Sequence, residues 1–556
     1  MKPIIFLYIS IACLCSACSD FLVKPPLTTL SENSYWQSAT DAEYAVNGMY
    51  EDFREMQSDA PYMDVLTDLL YLKNSWEFGM FPFTNGSLVA DNWWVEQRFW
   101  SLKYNQIRNT NYFFTNIDRI KSKLTEAQVN NYTGQARTIR AFLYTRLLQA
   151  FGDVPLIKEV AGVSEWPSRN KADDVIAFIM AEFDQAIKEL PEDAADSKHG
   201  HITKYVAYAY KARAAMYVAG FYNRPAYYQV AADALAKIVS SNKFSLFRKY
   251  NDPSRDLVEL FWTVNEGSEN KEILFSDQAI KDTRPTNIST CFAGPGWKSF
   301  QAHQNYIDMF ECKHGFQAHG IAFRQFNKYR DTKALKSPLD EVCPDYNPLN
   351  EFGNRDPRLN ATFFNPNIHL EGGQIVRSGE FWTAGNRNFT PDADNDAYFF
   401  KKMVDPTNFN PVYYSGNSDN NYILVRYSDM LLLYAEALNE TGHTGDALPY
   451  INDVRARAGM PPVAASDKVE LLDIIKHERK IELIQEQQLC WDYKRWKDYE
   501  ATMPNGAVFY GYRREPFGKV SQQMEIKKLS YPKYYLWPVP SLELQNNKNM
   551  TQNTGW

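Results

Sequence analysis

Hydrophobic positions recur at helical spacing in two stretches of the chain, separated by a long stretch where no period holds. The first runs from about residue 41 to 240. In GQARTIRAFLYTRLLQAFGDVPLI, residues 134–157, Ala136, Ile139, Leu143, Leu147 and Ala150 fall on one helical face, and Gly152 with Pro155 stops the helix. Further helices are predicted over 171–190, 203–219 and 226–240. The second stretch opens with a helix in 421–442 and continues with one from about Asp446 to Ala458. A third begins near Val469 and runs towards Trp496.

Small residues repeat at matching places in both stretches. Ala219 and Ala231 stand twelve residues apart, followed by Leu235 and Ile238. Ala435 and Ala447 keep the same separation, followed by Ile451 and Val454. Such positions let two antiparallel helices approach closely, as in tetratricopeptide-type hairpins. Between the stretches, residues 244–420 are rich in turn signals: NDPSRD, AGPGW, CPDYNPLNEFGNRDPR, PDADND and VDPTNFNP. Unstructured connections beyond about 12–15 residues are uncommon. This part therefore reads as a loop-rich lobe packed on the helices, with exposed loops suited to binding.

The expected fold is mainly α: a tetratricopeptide-like helical-hairpin stack with a large irregular lobe inserted between helical regions. The expected divisions are 1–17, 18–243, 244–420 and 421–556. Composition agrees with a folded chain, since 44% of its 556 residues are hydrophobic and 23% charged. A formal net charge of −7 and the lack of a basic run exclude nucleic acid as an expected partner.

The amino terminus reads differently. MKPIIFLYISIACL has a positive start at Lys2 and an apolar run too short to span a bilayer, which takes about 20 residues. This is the pattern of a secretory leader. Ser16 and Ala17 before Cys18 resemble a bacterial lipobox, with Cys15 where such boxes usually carry Leu. Cys18 is the expected site of lipidation, and cleavage before it would define residues 1–17 as the signal peptide. No later segment approaches 18 unbroken apolar residues. If Cys18 is acylated, Cys291, Cys312, Cys343 and Cys490 remain. One disulfide among the first three fits their number, but no framework is implied.

Catalytic signatures are missing. There is no G-x-S-x-G, no G-x-x-x-x-G-K-[ST] and no H-E-x-x-H. Spatially paired carboxylates remain open, which keeps a helical glycosidase as an alternative. His199 with His201, and Cys312 with His314 and His319, are metal-ligating types in loop contexts, each without a matching second half. No metal ligand is therefore assigned. Asp392, Asp394 and Asp396 resemble the start of a calcium loop, but Ala397 and Met403 replace the glycine and glutamate it needs. No cofactor is expected to be required. A solvated turn is the expected role of this aspartate run, with a structural calcium ion as the alternative.

Aromatics carry more. They make up 15% of the chain, with 13 Trp, 35 Tyr and 34 Phe. KNSWEFGMFPF, 73–83, sets Trp76 beside Asn74 in a turn-rich segment. AGPGWKSF, 293–300, and SGEFWTAGN, 378–386, do the same for Trp297 and Trp382. An indole on a turn with amides and charges nearby suits a sugar ring, whose CH face stacks while its hydroxyls hydrogen-bond. Packing of the same indoles against the core is the competing role. Asn74, Trp76, Trp297 and Trp382 are the candidate ligand contacts. Trp100, Trp491 and Trp496 lie on helical patterns and are expected in the core.

Several segments together resemble the SusD/RagB family of outer-membrane nutrient-binding lipoproteins. SDFL after the lipobox, LSENSYWQSATDAEYAVNGMYEDF (30–53), YNQIRNTNYFFTNI (104–117) and the segment 134–157 carry the first half. RYSDMLLLYAEALNETG (426–442), INDVRARAGMP (451–461), HERKIELIQE (477–486), DYKRW (492–496) and YLWPVPSLELQNNKNMTQNTGW (535–556) carry the second. Gln487 and Leu489 depart from the glycine and arginine usual there. The resemblance implies four tetratricopeptide-like helix pairs and a lipid anchor on the outer membrane, facing the cell exterior. It further implies capture of oligo- or polysaccharide for a SusC-like TonB-dependent transporter, without catalysis. A peptide-binding RagB-type role is the alternative within the family.

Overall fold

The computed structural model describes residues 35–51, 53, 63–72, 79–160, 162, 166–193, 200–262, 270–286, 299–326, 339–347, 350–363, 398, 400–403, 419–515 and 518–556. Helix α1 (Ala39–Met49) is followed by β1 (Leu70–Leu72) and α2 (Leu102–Ile117). Helix α3 (Glu126–Phe151) starts at a reciprocal cap. The Gln128 N–H donates to Thr125 Oγ1 at 3.2 Å, and the Thr125 N–H donates to Gln128 Oε1 at 3.0 Å. It ends at Gly152, whose φ of 74° is open to glycine. Helices α4 (Ala172–Glu189), α5 (Lys204–Phe221) and α6 (Ala226–Val239) complete the first helical stretch close to its expected bounds.

The lobe contributes α7 (Pro253–Glu259), β2 (Ile273–Asp277), β3 (Phe300–Ala302), α8 (Gln304–Met309) and α9 (Pro357–Thr362), all short. The second stretch begins with a strand instead of a helix. Here β4 (Tyr422–Arg426) pairs antiparallel with β2, and α10 (Tyr427–Glu440) starts directly after it. Helix α11 (Thr444–Arg457) folds back on α10, and the alanine pairs do what their spacing predicts. Ala219, Ala231, Ala435 and Ala447 are all buried in the hairpins α5–α6 and α10–α11.

The long helix expected from Val469 to Trp496 is broken. Helix α12 (Lys468–Leu483) and α13 (Leu489–Trp496) are separated by a turn in which Gln485 and Gln487 adopt φ of 69° and 66°. The turn aims polar groups inward. The Gln485 N–H donates to Asp64 Oδ2 at 2.5 Å, and Glu486 meets Lys402 and Arg426. The helical pattern predicts nothing for the hairpin of β5 (Ala507–Glu515) and β6 (Gly518–Lys527). Helix α14 (Ser541–Asn546) lies near the carboxyl end. That end closes over the tip of α3: the Trp537 N–H donates to Ala150 O, and Asn553 Nδ2 donates to Phe151 O.

One hydrophobic core runs through the helical stack and the lobe alike, joining Phe142 and Leu432 with Phe300, Tyr306 and Phe363. A buried lattice of charges crosses the same boundary. Arg426 at the end of β4 meets Glu272, Glu482 and Glu486, and Arg457 meets Glu272 and Glu482. Arg358 of the lobe meets Asp356, Glu478 and Glu482, while Arg455 meets Glu311 and Glu478. A second relay links α5, α10, α12 and α13 through Arg213, Asp429, Arg479, Asp492, Arg495 and Glu436. Buried ions are tolerated when every partner is present. The paired charged residues named here are thus structural: those around Arg426, Arg457, Arg358 and Arg455 bolt lobe to stack, and the relay ties helices within the stack.

Candidate functional site

Strands β1 and β3 form a two-stranded antiparallel ladder with Leu70 opposite Ala302, Tyr71 opposite Gln301 and Leu72 opposite Phe300. The chain that leads to Asn74 and Trp76 leaves after Leu72, and the chain that carries Trp297 arrives at Phe300. Both segments are rooted at the same end of one ladder. Asn74, Trp76, Trp297 and Trp382 themselves lie outside the described residues, as do Cys18, His199 and the Asp392–Asp396 run. The segment of Trp382 is rooted elsewhere, at the bridge between Phe363 and Phe400.

The ladder has a stiff base. His303, directly after β3, is stacked between Tyr71 at 5.1 Å and Phe509 at 4.4 Å, with Nδ1 3.0 Å from Asp68 O. Burial lowers its pKa, which favours the neutral ring. Burial would raise the Glu525 carboxyl, but the Lys527 ammonium outweighs this and holds it below its usual range. Lys527 Nζ donates to the carbonyl oxygens of Val65, Thr67 and Leu70, which fixes the approach to β1.

The other end of the Trp76 segment is also anchored. Gly79 has φ of +61°, and a Cβ placed on it would lie 1.6 Å from Trp94 Nε1. The backbone therefore lies flat against the Trp94 indole, an approach that only glycine allows. Trp93 stands beside Trp94 edge to face, with ring centroids 5.9 Å apart, and is 57% exposed. The Arg98 guanidinium lies 5.4 Å from the Trp94 centroid.

Local sequence explains this placement. Asn92 Oδ1 accepts the N–H groups of Trp94 and Val95, starting the helix there. Trp94–Ser101 is wound as a π-helix leading straight into α2, a form found often at functional sites. The wider turn buries Val95 and Trp100 while Trp93 stays in solvent. The sequence reading missed Trp93 and Trp94. The signal was a tryptophan doublet behind a capping asparagine, just ahead of the helical pattern. Trp100 and Trp491 are core residues as expected. Trp496 is half-buried and donates to Glu436 Oε1 at 2.9 Å.

The site thus has two parts, an exposed tryptophan face packed at Gly79 and the Leu72–Phe300 end of the ladder, joined through the 73–78 segment of the chain. Planar indole surface, a guanidinium and the polar side chains of Glu96 and Gln97 border it. Such a surface can stack on a flat ligand and hydrogen-bond its edges.

Stack, lobe and aromatic face together define a helical-repeat scaffold of a known type. The chain belongs to the SusD family, whose model matches residues 252–556. A second model, described as "Starch-binding associating with outer membrane", matches residues 30–216. SusD-like protein P2 of Formosa agariphila is 25% identical, over 96% of both chains. A crystal structure of a SusD-like protein from Bacteroides fragilis superposes with a TM-score of 0.75 at 24% identity, covering 96% of this chain and all of that one. Surface glycan-binding protein A from Bacteroides thetaiotaomicron, solved in complex with laminarihexaose, superposes at 0.65 with 19% identity over 93% of this chain and all of that one.

Proposed function

We propose that this protein is a non-catalytic, lipid-anchored binding protein of the outer membrane that captures oligo- or polysaccharide outside the cell. It delivers the ligand to a SusC-like TonB-dependent transporter. The observation that carries this reading is the common root of the Trp76 and Trp297 segments at the Leu72–Phe300 end of the ladder. Two indole-bearing segments starting from one place suit a ligand with repeated flat faces. The solvent-exposed Trp93 beside the Gly79 anchor extends the same chemistry. The laminarihexaose-bound relative supports a glycan as the ligand class.

Acylation of Cys18 supplies the anchor, and two acyl chains hold far more firmly than one. No described helix is long and apolar enough to cross a membrane. Affinity electrophoresis through gels of different polysaccharides tests the binding. The wild type is expected to be retarded by at least one glycan, and Trp76→Ala and Trp297→Ala to migrate faster there. Unchanged retardation of both variants would remove these residues from the site. Mass spectrometry of the mature amino terminus is expected to find acylated Cys18, and outer-membrane extracts to yield the protein together with a TonB-dependent barrel.

A further inference from the structure

The histidines and cysteine at 312–319 gain a second half in the folded chain. Cys343 stands 24 residues beyond His319 in sequence, yet one ligand atom from each of Cys312, His314, His319 and Cys343 lies within 4.8 Å of the other three. In a tetrahedral zinc site with bonds of about 2.0–2.3 Å, ligand atoms lie roughly 3.3–3.8 Å apart. A small inward movement closes the set on an ion. His319 Nε2 is already 3.1 Å from Cys312 Sγ.

We propose that Cys312, His314, His319 and Cys343 bind a zinc ion that staples the loop-rich lobe. Two thiolates and two imidazoles are the donor set of structural zinc, too soft for calcium or magnesium. Both cysteines are buried, while the His314 side chain is 42% exposed and leaves a way in. Backbone geometry supports the arrangement. Cys312 pairs in an antiparallel bridge with Arg355, which fixes its position, and Gly315 at φ +83° turns the chain back sharply after it. The N–H groups of His314 and Gly315 are directed at Cys312. An outer carboxylate is present as well: Asp345 Oδ2 lies 3.4 Å from His314 Nε2 and 2.9 Å from Lys313 Nζ.

Without an ion, burial pushes the Cys312 thiol up to about 11, with the Cys343 thiol adding to the rise. Zinc reverses this. On binding, each thiol releases its proton to solvent and each sulfur forms one bond to the ion, so two protons leave per zinc. The staple sits one residue from Glu311, which holds Arg455 of α11 in the buried lattice. Zinc therefore braces the lobe where it joins the stack. A Cys312–Cys343 disulfide is the competing use of the same two sulfurs.

The test uses the full chain purified in detergent without chelator or reductant. Elemental analysis is expected to find one zinc per chain, removed by chelator with a fall in melting temperature and restored by added zinc. Cobalt substitution is expected to give the visible bands and the sulfur-to-cobalt charge transfer of a tetrahedral Cys2His2 site. Cys343→Ala should abolish that spectrum. His314→Ala, which changes an exposed side chain, should keep the helical circular dichroism and lose at least about tenfold in zinc affinity. Peptide mapping that finds Cys312 disulfide-bonded to Cys343, or zinc uptake unchanged in both variants, would overturn the proposal.

Discussion

Leu72 and Phe300 face each other at the last rung of the β1–β3 ladder. The segments beyond them carry Trp76 and Trp297, so the two indoles are expected to act on one ligand. Each Trp→Ala change should weaken glycan binding about tenfold, the worth of one good aromatic contact. The double variant should show a coupling of about 0.5 kcal/mol or more in a double-mutant cycle. Titration calorimetry with the glycan that retards the wild type measures this. Strictly additive losses would put the residues on separate ligand stretches.

Gly79 joins that segment to the tryptophan face. Any side chain there would strike the Trp94 indole, at a φ that already disfavours L residues. Gly79→Ala must therefore displace the indole or the loop. The expected result is a loss of glycan retardation of tenfold or more with the far-ultraviolet circular dichroism unchanged. Altered tryptophan fluorescence should accompany it, since Trp93 and Trp94 lie in contact.

The buried lattice predicts a sharp contrast between two arginines. Arg426→Met leaves Glu272, Glu482 and Glu486 without their shared cation inside the protein. Removing one partner from a buried ion cluster costs about 3–5 kcal/mol. Arg224 pairs with Asp173 in the open, both side chains more than half exposed, and Arg224→Ala should stay within about 0.5 kcal/mol. Urea denaturation followed by helical circular dichroism separates the two. Equal effects would mean that the lattice contributes no more than a surface pair.

The landmarks that identified the family are visible in sequence, but their use is not. Arg426, Arg455, Glu478 and Glu482 stand out as motif residues, yet their pairing depends on helices distant in the chain. The helical bounds of α4, α5 and α6 were legible because apolar spacing alone sets them. The break between α12 and α13 was not, because glutamines occupy the left-handed positions where a glycine would have announced a turn. Trp93 and Trp94 were hidden for a related reason. A π-helix breaks the spacing by which a buried face is read. Cys343 was legible only as a partner for a disulfide, because what brings it to His314 and His319 is the fold of the lobe, with 23 residues between it and His319.

Stability should depend on pH through buried groups that burial shifts in opposite senses. Burial pushes the Asp64 carboxyl from 3.8 up to about 8, against the Gln485 N–H that it accepts. The folded chain then keeps a proton that the unfolded chain has lost, so stability declines as pH rises from about 4 to about 8. His477 packs against Phe316 and Phe323, and burial lowers it from 6.5 to about 3. The unfolded chain takes up that proton first, so stability also declines as pH falls below about 6.5. Burial would raise Glu478, but Arg358 and Arg455 win and hold it at about 2, which adds a further loss below about 4.5. Melting temperature against pH should therefore form a dome. Asp64→Asn retains an acceptor for the Gln485 N–H without a titrating group, and should flatten the alkaline limb. Between about 4.5 and 6.5 the Asp64 and His477 slopes oppose each other and leave a plateau, so His477→Phe should turn that plateau into a rise towards low pH and leave the limb above about 6.5 unchanged. Variants that track the wild type on both limbs would show that other groups set the dome.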